Sequence, residues 1–155
     1  MKKMGIREAK KHLSALDDRA PLYWDSSAIL SFASDDVHST LAKRHFRRAH
    51  RHLLSSLARA ECASVIARVV RSGEMAVALG DRAIDSIART PWLALTDGPS
   101  PATLRVLARR YPLRGADLWH LALAIDLGES LPDLRLLTFD SVLGAAARAE
   151  GLAAE

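Results

Sequence analysis

At 155 residues, 49% of them hydrophobic and 26% charged, the chain is long enough for one domain with a substantial core and too apolar to be disordered. Its apolar runs are broken by charge before the roughly 18 to 20 residues of a membrane span, and the opening residues lack the basic, apolar and cleavage order of a secretory leader. Together these point to a cytoplasmic protein. The net charge of +4 permits contact with phosphate backbones, and the single Cys62 excludes an internal disulfide.

Residues 1–20 are more charged than the rest of the chain and read as an N-terminal extension, either an added helix or a tail; the domain proper runs over residues 21–155. "PLYW" is a first strand, and "SSAILSFAS" is the turn and helix after it. From Val37 to about Arg51 the charges have helical spacing, with Lys43, Arg44, Arg47, Arg48 and Arg51 inside about two and a half turns. That stripe is either a solvated face or a phosphate-contacting one. "HLLSS" is a short second strand, followed by a helix over 57–71 whose apolar stripe falls at 58, 62, 65, 66 and 69 and stops at Gly73. "EMAVALGDRAIDSIART" is the next helix, ended by Pro91, and "WLALT" is a candidate strand. Trp92, Leu93 and Leu95 there are either core residues or an apolar surface for a second copy. "SPATLRVLARRY" opens with a Ser-Pro helix start, "ADLWHLALAIDLG" is a further helix, "LRLLTF" a strand and "SVLGAAARAEGL" the last helix. Strands alternating with helices predict an α/β domain with a mainly parallel sheet, about four strands and six or seven helices.

Twice an apolar run ends in an aromatic residue, an aspartate and a serine, in "LYWDSSAIL" and "LLTFDSVL". Asp25 and Asp140 therefore stand just past strand carboxyl ends, where open parallel sheets collect their functional groups; each is also placed to cap the following helix. Glu61 borders the buried stripe of its helix. Asp117 opens "ADLWHLALAI" and has His120, Leu121 and Ala124 on its face, although a first-turn acid is also favoured by the helix dipole alone. Four converging carboxylates would repel one another unless a cation compensated. Oxygen-only ligation favours Mg2+ or Mn2+ over zinc, and such a centre can activate water for in-line attack on a phosphodiester. Other schemes lack their residues: neither GxxxxGK[ST] nor GxSxG occurs, and a phosphatase built on Asp25 needs a second aspartate where Ser27 stands. His38, His45, His50 and His52 are too irregularly spaced for a zinc motif and read as part of a basic surface.

The segments "YWDSSAIL", "SSLARAEC", "LRGADLWHLALAI" and "LLTFDSVLGAAARAEGL", in this order, resemble the PIN domain and, more narrowly, the VapC-type toxins of prokaryotic toxin–antitoxin pairs. The resemblance covers about Leu22 to Leu152. It implies a three-layer α/β/α sandwich around a central parallel sheet and a Mg2+- or Mn2+-dependent endoribonuclease that hydrolyses RNA phosphodiester bonds. It further implies that Asp25, Asp117 and Asp140 hold the metal and that Glu61 binds metal or orients the attacking water. Ser26 and Thr138 would be the supporting hydroxyls. Lys43, Arg44, Arg47, Arg48, Arg51 and Arg114 are candidates to contact RNA, Arg114 having a structural ion pair as its alternative. A cognate antitoxin and a second copy of the chain, in a homodimer, are the implied partners. The competing reading is a non-catalytic module of the same fold that binds nucleic acid or protein.

Overall fold

The computed structural model describes residues 2–5, 8, 20–49 and 51–154. In chain order these form β1 (Lys2–Met4), β2 (Leu22–Trp24), α1 (Ser26–Ala33), α2 (Ser39–Arg48), β3 (His52–Ser55), α3 (Ser56–Arg71), α4 (Val77–Arg89), β4 (Leu93–Leu95), α5 (Pro101–Arg110), α6 (Gly115–Gly128), β5 (Arg135–Leu137) and α7 (Ser141–Ala149). The strands predicted from apolar runs and the helices predicted from their periodicity all form. A helix within residues 1–20 falls outside the described residues, but Lys2–Met4 adds a fifth strand to the four expected, paired in parallel with Leu93–Leu95.

All pairings are parallel, in the order β1-β4-β3-β2-β5. The side-chain alternation of a strand sends its residues to opposite layers. Tyr23, Leu53, Leu95 and Leu136 pack with Leu107, Leu121 and Leu143 of α5, α6 and α7. Leu22, Trp24, Leu54 and Leu137 pack with Ile29, Ala42, Ile66 and Ile87 of α1 to α4. The result is the expected three-layer sandwich, with strands β2 to β5 packed on both faces as parallel sheets require. Trp92 (1% exposed) and Leu95 (3%) lie in this core, so they offer no apolar surface to a second copy.

Local chemistry sets the helix ends. Ser55 and Ser100 accept bonds from Ala58 N–H and Thr103 N–H at the starts of α3 and α5. After α3, Gly73 takes φ +79 and its N–H bonds the Val70 carbonyl, a left-handed turn that glycine adopts at no steric cost. Gly80 serves packing instead: a Cβ there would stand 2.6 Å from Val70 Cγ2, so its absence lets α4 close onto α3.

Two of the four histidines expected on a basic surface depart from it; His38 is exposed, and His50 lies outside the described residues. His45 and His52 are buried. His52 stacks on Phe46 (centroids 4.0 Å apart, planes at 11°) and accepts the Trp24 indole N–H at 3.2 Å, so its ring packs as a core aromatic. Among the described residues no helix is long and apolar enough to cross a membrane.

Candidate active site

The chain lays down β2, β3 and β4 in one direction and then returns through α5 and α6 to place β5 on the far side of β2. This reversal makes a switch point between β2 and β5, the place where an open parallel sheet leaves a crevice at its carboxyl edge. Asp25 and Asp140 stand on either side of it.

Asp25 directly follows β2 and is 3% exposed. Both of its carboxylate oxygens are engaged. Oδ1 accepts from Ala28 N–H (2.9 Å) and the Ser27 hydroxyl (2.8 Å), and Oδ2 accepts from the Thr138 hydroxyl (2.8 Å). Burial pushes this carboxyl upward from its ordinary range, and the three donors pull it back toward ionisation. Asp25 is thus both a helix cap and a fixed acid, so the two readings open at the sequence level coexist. The hydroxyl beside Thr138 on Asp25 belongs to Ser27 rather than to the expected Ser26, whose carbonyl accepts a long contact from Cys62 Sγ (3.6 Å). One residue makes the difference because successive positions on α1 point about 100° apart.

Thr138 joins the two aspartates. Its hydroxyl donates to Asp25 and accepts Asp140 N–H at 3.0 Å. Asp140 Oδ1 in turn accepts from Val142 N–H and Leu143 N–H, both at 2.8 Å, capping α7. No described hydrogen bond uses its Oδ2.

Asp117 sits half-buried in the first turn of α6. Its carboxyl is held above the ordinary value, first by desolvation and then by the charge of Asp140, with Glu61 adding to the effect and His120 and Arg114 opposing it. Glu61 lies on α3, in the opposite layer, and meets α6 above the sheet edge: its Oε2 is 2.8 Å from His120 Nε2. Asp25 and Glu61 both also act on Cys62, whose thiol is pushed up to about 12, chiefly by burial, which leaves it an inert core thiol. The four acids singled out in the sequence therefore share one electrostatic neighbourhood.

They do not form a closed ligand shell. Among the described residues no group of three His, Cys, Asp or Glu side chains could hold one ion, so the three-aspartate set implied by the resemblance is not assembled as such. The donor chemistry still fits Mg2+ or Mn2+. The donors are oxygens, the charge of Asp140 raises the Asp117 carboxyl, and Mg2+ takes only one or two carboxylates, filling its shell with water and substrate phosphate.

The basic candidates separate. His38, just before α2, stacks on Phe139 (4.6 Å, 11°), which places the start of that helix beside Asp140. The helix then runs away from the acids. Arg48 lines a cavity with Leu22 and Arg135, the first residues of β2 and β5, and the Arg51 carbonyl accepts Leu22 N–H (2.9 Å). Both arginines therefore lie at the amino edge of the sheet. Arg44 and Arg47 are exposed, while Lys43 stands 3.9 Å from Asp35. Arg114, exposed just before α6, acts on Asp117.

His120 was legible only as a neighbour of Asp117. It is 1% exposed, with Nδ1 2.6 Å from the Tyr23 hydroxyl. The available signal was a polar residue inside the apolar run "LWHLALAI", since a buried imidazole demands partners.

Comparison with known proteins agrees with this architecture. A family model, PIN domain, matches residues 22–152. The chain is 35% identical over 138 residues to Ribonuclease VapC46 of Mycobacterium tuberculosis, covering 86% of this chain and 95% of that protein. A crystal structure of PAE2754 from Pyrobaculum aerophilum superposes with a TM-score of 0.57 at 19% identity, over 81% of this chain and 78% of the other. A family match over nearly the whole domain, a VapC relative at this identity and acids gathered at the switch point make this chain a member of the PIN domain family, of the VapC type.

Proposed function

We propose that the protein is a divalent-metal-dependent endoribonuclease, acting as the toxin of a toxin–antitoxin pair whose antitoxin is its protein partner. The observation that carries this reading is the gathering of Asp25, Asp117, Asp140 and Glu61 at the switch point, with the Asp117 carboxyl raised by desolvation and by the charge of Asp140. The 35% identity to a ribonuclease supports the substrate class.

Asp117 and Asp140 are the residues that would hold Mg2+ or Mn2+, with Asp25 behind them. The bound ion would acidify a water and neutralise charge developing on the phosphate. Asp25, fixed by three donors, supplies negative potential without moving. Through Thr138 it also orders the backbone from which Asp140 projects. Glu61, tethered by His120, is placed to accept a proton from the attacking water. Arg114, whose charge acts on Asp117, would pair with a substrate phosphate.

The test is cleavage of purified RNA by antitoxin-free protein with Mg2+ or Mn2+, against EDTA and Asp117→Asn. Discrete fragments that require metal and vanish in the variant are expected. RNA binding with no cleavage under any metal would leave a binding module of the same fold.

A further inference from the structure

Glu61 does not stand alone: a run of polar side chains passes from the cap of its own helix, through the sheet, to its carboxylate. Ser55 is the N-cap of α3, its Oγ accepting Ala58 N–H at 3.1 Å. Its hydroxyl proton is therefore available to the Tyr23 phenol oxygen, with which Ser55 hydrogen-bonds. Tyr23 is fully buried, and burial raises its phenol well above the ordinary value, so it keeps its proton and must donate it. The acceptor is His120 Nδ1 at 2.6 Å. An imidazole that accepts at Nδ1 carries its hydrogen on Nε2, and Nε2 faces Glu61 Oε2 at 2.8 Å. Every bond in the run then has one direction, from Ser55 to Tyr23 to His120 to Glu61. No buried side-chain nitrogen or oxygen among the described residues is left without a partner.

We infer that Tyr23 and His120 are positioning residues for the reaction: Tyr23 fixes the Nε2–H tautomer of His120, and that N–H holds the Glu61 carboxylate in one orientation toward the acid cluster. The inference rests on the proposed role of Glu61 at the attacking water. The hydrogen bond spans the two helical layers, α3 on one face of the sheet and α6 on the other. A long, flexible glutamate that is one-quarter exposed gains from it what its own helix does not supply, a single rotamer.

The decisive experiment is a double-mutant cycle with a spectroscopic check. His120→Ala should lower kcat on the order of 10-fold, as loss of a supporting hydrogen bond does, with KM unmoved; His120→Gln, which restores an N–H donor, should recover most of it. In a Glu61→Ala background, His120→Ala should cost nothing further, because its effect travels through Glu61. An equal loss in both backgrounds, or a loss carried by KM, overturns the inference. Imidazole 15N spectra of the metal-free protein at mildly alkaline pH should show His120 as the neutral Nε2–H tautomer, disturbed by Tyr23→Phe; the Nδ1–H tautomer or a cation overturns it without reference to activity. If the wild-type protein cleaves no RNA, the proposed function fails, and the spectra still decide the tautomer and its dependence on Tyr23. Should His120→Ala not fold, Tyr23→Phe, which removes the donor to Nδ1, carries the same cycle.

Discussion

Replacing Thr138 with valine keeps the shape of the side chain and removes one hydroxyl, so its effect isolates the hydrogen bonds that the hydroxyl makes. In the native protein that hydroxyl donates to Asp25 Oδ2 at 2.8 Å, and Asp25 is only 3% exposed, so water cannot take its place. A hydrogen bond to a charged group contributes about 1.5–3 kcal/mol. For a domain of this size each kcal/mol moves the melting temperature by roughly 2–4 °C, so Thr138→Val should melt roughly 3–12 °C below the wild type at neutral pH. The loss has a sign in pH. Burial raises the Asp25 carboxyl and the Thr138 bond lowers it, so the bond stabilises the ionised form. Its contribution is fully present above the native pKa of Asp25 and fades as pH falls through it. The assay is thermal unfolding in EDTA at neutral and acid pH, with Thr138→Ser as the variant that keeps the hydroxyl. A valine variant that melts with the wild type at neutral pH, or a loss that does not shrink in acid, would refute the assignment of Thr138 as the donor holding an ionised Asp25.

Three further outcomes are expected. Asp117 has a native pKa raised by desolvation and by Asp140, so its ionisation costs stability as pH rises from the ordinary carboxylate value through the raised one; in EDTA at neutral pH Asp117→Asn should therefore melt above the wild type, with the gap closing in acid and narrowing again when Mg2+ is added. Arg114→Gln should weaken RNA affinity and reduce the dependence of log K on log salt by about one contact, whereas Arg48→Gln, at the opposite edge of the sheet, should leave cleavage unchanged; filter binding across a salt series separates them. Gly80→Ala forces a methyl to within 2.6 Å of Val70 Cγ2, an overpacking cost of about 1–3 kcal/mol that outweighs the helix-propensity gain of about 1 kcal/mol; urea unfolding of a variant more stable than the wild type would contradict that packing.

Periodicity and punctuation in the sequence were enough to determine the elements from "PLYW" to "SVLGAAARAEGL", because each strand or helix depends on residues two to four apart. The four acids were legible for the same reason: each is written at the end of a strand or on the edge of an apolar helical stripe. The tertiary structure decided what those acids touch. Thr138 reaches Asp25 across 113 residues, and His120 reaches Glu61 across 59, contacts created by the crossover that sets β5 beside β2. It chose Ser27 over Ser26 through the rotation of one helical position, and made core aromatics of His52 and Trp92. It also carried Arg48 and Arg51 away from the acids, since the direction in which a charged helix leaves a site is fixed by how it packs on the sheet and not by the spacing of its charges. The edge strand Lys2–Met4 was hidden for a related reason: three residues have no period to read, and they become a strand only because Leu93–Leu95 presents a parallel edge to pair with.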